Sequence, residues 1–160
     1  MPAKKVAKFL DSHKVKYVAI KHSAAFTAQE IAASAHIPGK ELAKTVMVKI
    51  DGQMAMAVLP ASYRIDFKRL KDLAGAKKVE LAPEQEFQNL FPESEVGAMP
   101  PFGNLYEMDV YVAKPLPEDP EIAFNAGSHT ELIRLQYKDF QNLVEPKVGD
   151  FAHQEKPKSA

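Results

Sequence analysis

The chain predicts a mixed α/β domain, in which a mostly antiparallel sheet is packed about by helices. Three observations carry this. "AKTVMVKI" and "QMAMAVLP" flank Asp51-Gly52, the dipeptide that best suits a tight hairpin turn. "IAFNA" and "ELIRLQ" flank a second turn at Gly127. Capped amphipathic stretches lie between the strand-like runs, yet more strands are joined by hairpins than a purely βαβ chain would show.

Taken in order, Val6, Phe9 and Leu10 recur at helical spacing in "KKVAKFLDSH", predicting a short first helix, and "VKYVAI" follows as a strand. In "TAQEIAASAH", Thr27 with Glu30 three residues on forms a capping box, and Pro38-Gly39 stops that helix. The run after Asp51-Gly52 is apolar on both faces, so it belongs in the middle of a sheet. Asp66 caps "FKRLKDLAG", whose Gly75 stands where a helix C-terminus wants a left-handed residue. "KKVEL" reads as a short strand and "APEQEFQNLF" as a helix with Pro83 near its first turn. "MDVYVA", the second hairpin and a closing helix over "YKDFQNLV" complete the domain. Residues 1–152 form one domain, and 153–160 form a flexible tail.

A chain of 160 residues with 46% hydrophobic and 26% charged residues buries a sizeable core without staples. The absence of cysteine excludes disulfides, thiolate metal sites and a cysteine nucleophile, and fits a reducing, cytoplasmic setting. Charges interrupt every apolar run, so no membrane partner is expected, and "MPAKKVAKFLDSHK" lacks the apolar core of a secretory signal. Net charge is zero, but residues 1–78 hold fifteen Lys and Arg against six Asp and Glu, and residues 79–160 hold the reverse. Such asymmetry serves either as a small polyanion-binding face or, if the halves interleave, as plain surface charge.

Three places carry possible chemistry. Lys44 shares a strand face with Val46, Val48 and Ile50, so a cation either lies on the buried side or snorkels out at the strand's start. In "FNAGSHTEL", Gly127 turns the hairpin and leaves Ser128 and His129 at its mouth, either an anion-holding nest of backbone N–H groups or an ordinary turn. "GAMPPFG" (Gly97 to Gly103) is stiff, donor-poor and apolar, unlike a solvated loop. There is no Gly-x-Ser-x-Gly elbow, no His-Glu-x-x-His and no phosphate-binding glycine fingerprint. A protein nucleophile, a metal and a cofactor are therefore not expected.

The order "HSAAFTAQEIA", "GKELAKTVMVK", "GAMPPFG", "FNAGSHTEL" resembles the YbaK/prolyl-tRNA-synthetase-associated domain family, free-standing aminoacyl-tRNA deacylases related to the editing domain of bacterial prolyl-tRNA synthetases. The likeness runs from about Val6 to Phe151. It implies a compact, barrel-like mixed α/β fold and hydrolysis of the ester between a wrong amino acid and its tRNA, with the aminoacylated 3′ end as transient partner and a synthetase as a further one. By the same resemblance Lys44 matches the family's functional lysine, and Gly97 and Pro100 match the Gly-x-x-x-Pro loop of the amino-acid pocket. Gly127, Ser128 and His129 match the Gly-Ser-His turn at the reaction centre, and His22 and Thr27 the helix-entry segment.

An aminoacyl ester is already activated, so positioning a water and stabilising the oxyanion suffice to cleave it. On that reading Lys44 binds the 3′-terminal nucleotide, Gly127 and Ser128 supply backbone donors to the oxyanion, and His129 positions substrate or water. Met99, Pro100, Pro101 and Phe102 give the pocket an unyielding apolar wall, as a size sieve requires, because one methylene is worth only about 1–3 kcal/mol; the other reading of the same loop is a core-sealing turn with Phe102 simply buried. The alternatives are a non-catalytic module that holds tRNA or a synthetase, and a hydrolase of another small acyl ester. Neither the edited amino acid, its tRNA, nor the oligomeric state is written in the sequence.

Overall fold

The computed structural model describes residues 4–21, 42–90, 99–118, 120–127 and 131–154. The helix expected over "TAQEIAASAH" lies outside them, as do His22, Thr27, Gly97, Ser128 and His129.

The elements are α1 (Lys4–Ser12), β1 (Tyr17–Lys21), β2 (Leu42–Ile50), β3 (Gln53–Pro60), β4 (Tyr63–Ile65), α2 (Phe67–Ala74), β5 (Val79–Leu81), α3 (Glu84–Phe87), β6 (Asp109–Ala113), β7 (Glu121–Asn125), β8 (Glu131–Gln136), α4 (Tyr137–Val144), β9 (Lys147–Gly149) and β10 (Ala152–Gln154). The larger sheet runs β1-β8-β7-β2-β3-β6-β9, with β5 also paired to β2, while β4 and β10 pair separately. Antiparallel pairs predominate, but β2–β7, β3–β6 and β6–β9 are parallel. This is the mixed, mostly antiparallel sheet that the hairpin pattern predicts.

The local signals are matched where they are strongest. Asp51 and Gly52 both take positive φ (49° and 83°), the conformation a two-residue hairpin turn demands, and β2 pairs β3 from Ile50–Gln53 out to Ala43–Pro60. The Asp51 carboxylate also accepts from the backbone N–H groups of Lys77 and Lys78, each at 2.9 Å, tying the hairpin tip to the start of β5. Asp66 accepts from Arg69 N at 3.1 Å to cap α2, and Gly75 ends it at φ 64°. The doubly apolar β3 sits between β2 and β6, in the middle of the sheet.

Two elements differ from expectation. The helix expected over "APEQEFQNLF" is one α-turn followed by a 3₁₀ turn at Gln88–Leu90. Pro92, two residues beyond Leu90, disfavours helical φ/ψ at Phe91 and so limits any extension. The segment read as a tail from residue 153 instead continues in β10, where His153 and Gln154 pair with Arg64 and Tyr63. Strands of three residues, such as β4, β9 and β10, are too short for a periodicity to reveal them.

Each face of the sheet has its own core. On one, Ala43, Met47, Met56, Val58, Val112, Ile122 and Phe124 are covered by Val6 and Leu10 of α1, by Tyr137 and Phe140 of α4, and by Met99 and Phe102. On the other, Val48, Ala55, Ala57, Leu59, Tyr111 and Ala113 pack under Leu70 of α2 and under Phe151 and Ala152, with Val46, Ile50, Tyr63, Ile65 and Phe67 at the margin. A few residues beside the second core, Leu42, Ala123 and Leu132, close that face toward β1.

Candidate active site at a fork in the sheet

β2 has two partners on a single edge. β7 pairs it in parallel at Leu42 and Ala43, and β5 pairs it antiparallel from Val48 to Ile50. Between them the two neighbours diverge, and residues 44–47 lie at the fork, where Ala82 N donates to Met47 O at 3.0 Å. Strand alternation then places Lys44 on the side of the second core, because Ala43 belongs to the first.

At this fork the surface opens into a hollow of about 320 Å³ lined by Lys44, Val46, Arg64, Ile65, Phe67 and Leu81. The strands explain how these side chains meet. Lys44 is opposite Leu59 in the hairpin register, the chain turns at residues 61–62, and β4 returns Arg64 and Ile65 to the same end. Leu81 is the partner of Val48 and so shares its face. Two cations and no carboxylate occur among the described lining residues. The other lysine of β2, Lys49, lies on the opposite face and is paired with Glu86 at 3.0 Å.

β7 carries the second motif toward the same place. Phe124 is the partner of Ala43, so Lys44 and Asn125 each stand one residue past that pair and both turn to the face opposite Phe124. Two residues on, Gly127 is buried at φ 93°, a left-handed conformation that costs a residue with a Cβ. The structure therefore puts the glycine corner at the end of the strand that runs beside Lys44. Sequence reasoning passed over Asn125, whose Oδ1 is buried with no hydrogen-bond partner among the described residues. It also passed over Glu131, a carboxyl only 5% exposed where β8 begins.

The 99–103 segment is held differently. Met99 is 5% exposed, Pro100 and Pro101 are buried, and Phe102 is fully buried. The Phe102 ring meets those of Phe9, Phe124 and Phe140 edge-on, at centroid distances of 6.0, 5.4 and 5.6 Å. Phe102 N donates to Pro100 O at 2.9 Å, and Leu105 N to Phe102 O at 3.0 Å, so the loop satisfies its own backbone. Gly103 is needed for close approach, since a Cβ there would lie 2.6 Å from Val110 Cγ2 and 2.8 Å from Met108 O. Met99 and Phe102 thus pack on the first core, across the sheet from the Lys44 side chain. The described residues set Lys44 on the strand next to the one that leads to the glycine corner, and bring neither Gly127 nor Met99 nor Phe102 into the lining of the Lys44 hollow.

No group of His, Asp or Glu among the described residues is arranged to hold a metal ion, and no helix among them is long and apolar enough to cross a membrane.

Comparison with known proteins agrees with this architecture. Over 74 residues the chain is 36% identical to proline--tRNA ligase of Staphylococcus aureus, a stretch covering 46% of this chain but only 12% of that enzyme. The fold superposes on the hypothetical protein APE2540 with a TM-score of 0.82 at 21% identity, covering 94% of this chain and 100% of the other. It also superposes on a candidate trans-editing enzyme for prolyl tRNA synthetase with a TM-score of 0.80 at 21% identity, covering 96% and 97%. A family model for the aminoacyl-tRNA editing domain matches residues 22–143. The fork in the sheet, with its lysine and its glycine corner, therefore sits within a chain that belongs to the aminoacyl-tRNA editing domain family.

Proposed function

We propose that the protein is a free-standing deacylase that hydrolyses the ester between a small, wrongly attached amino acid and a tRNA, of the proline type or a related one. The observation that carries this reading is the position of Lys44: a cation on an otherwise apolar strand face, at the fork between β5 and β7, beside the strand that ends in the Gly127 corner. A lysine in that hollow suits an anionic group of the substrate, and the anion nearest the scissile ester of a charged tRNA is the phosphate of its terminal nucleotide.

In this mechanism Lys44 holds that nucleotide and so fixes the acyl group over the glycine corner. The backbone N–H groups at Gly127 and Ser128 stabilise the oxyanion as water adds to the carbonyl carbon, and His129 positions water or substrate. The tetrahedral intermediate collapses with the ribose oxygen as leaving group, taking up a proton, to give the free amino acid and uncharged tRNA. His22 and Thr27 take part in binding the substrate. Gly97, Met99, Pro100, Pro101 and Phe102 set the pocket's size, with the buried members acting as rigid backing rather than as lining.

The test is a panel of mischarged tRNAs incubated with the purified protein. Release of a small amino acid from one or a few of them is the expected result. Retention of charged tRNA without hydrolysis favours the binding-module reading, to which the same cationic hollow is suited. Cleavage of small acyl esters lacking the tRNA part favours a broader esterase.

A further inference from the structure

We propose that α2 and the turn after it form a phosphate track for single-stranded RNA, in which Lys68, Lys71 and Lys77 hold the backbone of the nucleotides that lead up to the hollow at the fork. This rests on the deacylase reading only for the identity of the strand, the unpaired 3′ end of a tRNA.

The basic excess of the sequence has a definite place in the fold. Residues 64–78 hold six Lys and Arg against two Asp and Glu. Some of these cations are engaged: Arg69 lies 3.5 Å from Asp66 and 3.4 Å from Asp150, and Lys78 lies 3.4 Å from Glu80. Lys68, Lys71 and Lys77 make no ion pair and no side-chain hydrogen bond with the described residues. Asp72 follows Lys68 by four residues, but cation before anion is the weaker order on a helix, and the two do not pair. Three lysines on one short element repel each other, and a row of phosphates relieves that repulsion.

Their placement makes one track of them. α2 covers the second core, on the sheet face that carries Lys44, and its Phe67 lines the hollow, so Lys68 stands next to the lining. Lys71, three residues on, is a neighbour of Lys68 on the helix surface. Beyond Gly75 the chain doubles back, with Ala76 N donating to Lys71 O at 3.0 Å, and Lys77 comes to the same end of the helix as Lys71. From there β5 leads to Leu81, a second lining residue of the hollow. The support is rigid: Asp66 caps α2, Leu70 is fully buried, and Gly149 admits the Leu73 side chain, which a Cβ there would strike at 2.5 Å. The hollow itself, about 320 Å³, lies at the small end of the ~300–1,000 Å³ usual for small-ligand sites and takes one nucleotide rather than a base pair, so the strand crossing its rim is unpaired. Lysines suit that strand as mobile point charges that hold phosphates without reading bases. Lys8 and Lys16 are exposed too, but they belong to α1 and the start of β1, and α1 covers the opposite face of the sheet.

The experiment is fluorescence anisotropy of a labelled single-stranded RNA ending in cytidine-cytidine-adenosine, titrated with the whole chain over a series of salt concentrations. The wild type is expected to bind it with an affinity that falls as salt rises. Lys68→Gln with Lys71→Gln is expected to weaken binding about tenfold at low salt and to flatten the plot of log affinity against log salt by about 1.4, since each phosphate contact on a single strand contributes about 0.7. Lys77→Gln should flatten it by about 0.7 more, and Lys68→Arg with Lys71→Arg should keep the wild-type slope. Lys8→Gln with Lys16→Gln removes the same charge from the far face and should leave the slope unchanged. Equal flattening by that far-face pair, no flattening by the α2 pair, or a wild type that does not bind the RNA overturns the proposal. Melting curves superposing on the wild type show that lost affinity is not lost folding, and if the α2 pair fails to fold, the exposed Lys68→Gln alone should still flatten the plot by about 0.7. In deacylation assays the α2 pair should raise KM with kcat unchanged. The RNA carries no ester, so failure to cleave any mischarged tRNA overturns the deacylase reading alone.

Discussion

Phe102 and Phe124 meet edge-on at 5.4 Å, and through that contact the proline loop is braced against the strand that leads to Gly127. Phe102 adds two further edge-to-face contacts, to Phe9 and Phe140, so its ring ties α1, α4 and β7 together. Phe102→Ala is expected to cost about 3–5 kcal/mol of stability in urea unfolding, as for other buried phenylalanines. Phe102→Leu should recover most of it. A loss below about 1 kcal/mol for the alanine variant contradicts the bracing role.

Met99 backs the same loop. Met99→Ala removes a side chain that is 5% exposed and leaves a void in the first core. If the loop works as backing for a sieve, the variant accepts larger amino acids in the mischarged-tRNA panel and loses about 2–4 kcal/mol of stability. An unaltered substrate profile in a destabilised variant assigns Met99 to the core alone.

Lys44 gives the most direct test of mechanism. Its side chain is half-buried at the margin of the second core, so Lys44→Ala deletes charge without hollowing the interior. Turnover is expected to fall at least about a hundredfold while the melting curve moves little. Lys44→Arg should fall between the two, because a planar guanidinium cannot sit as a compact point charge does. Wild-type rates in the alanine variant remove Lys44 from the reaction.

Asp51 holds the hairpin tip. Its carboxylate accepts two backbone N–H bonds, from Lys77 and Lys78, and its own N–H donates to Lys78 O at 2.9 Å. Asp51→Ala is expected to cost about 1–3 kcal/mol, the scale of charged hydrogen bonds lost from backbone donors. Because β5 forms one side of the fork, the same variant should also raise KM for charged tRNA. An unchanged unfolding midpoint would show the two bonds to be dispensable.

Tyr137 supplies a pH signature. Burial pushes its phenol from 10.0 up to about 12, and its hydroxyl has no hydrogen-bond partner among the described residues. A raised folded-state value means that the native state holds the proton more tightly than the unfolded chain. The associated stability is complete below pH 10 and is lost as pH climbs toward 12, by on the order of 2 kcal/mol. Tyr137→Phe should flatten that alkaline limb and, by removing an unsatisfied hydroxyl, leave neutral-pH stability equal or higher. An alkaline limb that survives Tyr137→Phe assigns the effect elsewhere.

What the sequence determined by itself is local. Asp51-Gly52 fixes the β2–β3 turn and with it the register that sets Lys44 opposite Leu59, because a two-residue turn leaves no freedom to slip. Asp66 and Gly75 fix the ends of α2 through hydrogen bonds spanning three to five residues. Alternation along β2 already separates Lys44 from Lys49. The four motifs in order carried the family, which covers residues 22–143.

Tertiary structure alone decided which strands neighbour one another, and so where the fork lies. The parallel pairings β2–β7 and β3–β6 join residues some fifty to eighty positions apart, and no local pattern encodes a partner at that distance. For the same reason Arg64 reads in sequence as one more surface cation before a helix cap, and only the return of β4 beside β2 sets it in the hollow with Lys44. Phe102 shows the converse. Its apolar, proline-flanked setting is equally suited to a pocket wall or a core, and the packing of three phenyl rings around it placed it in the core, where burial and edge-to-face contact are both satisfied.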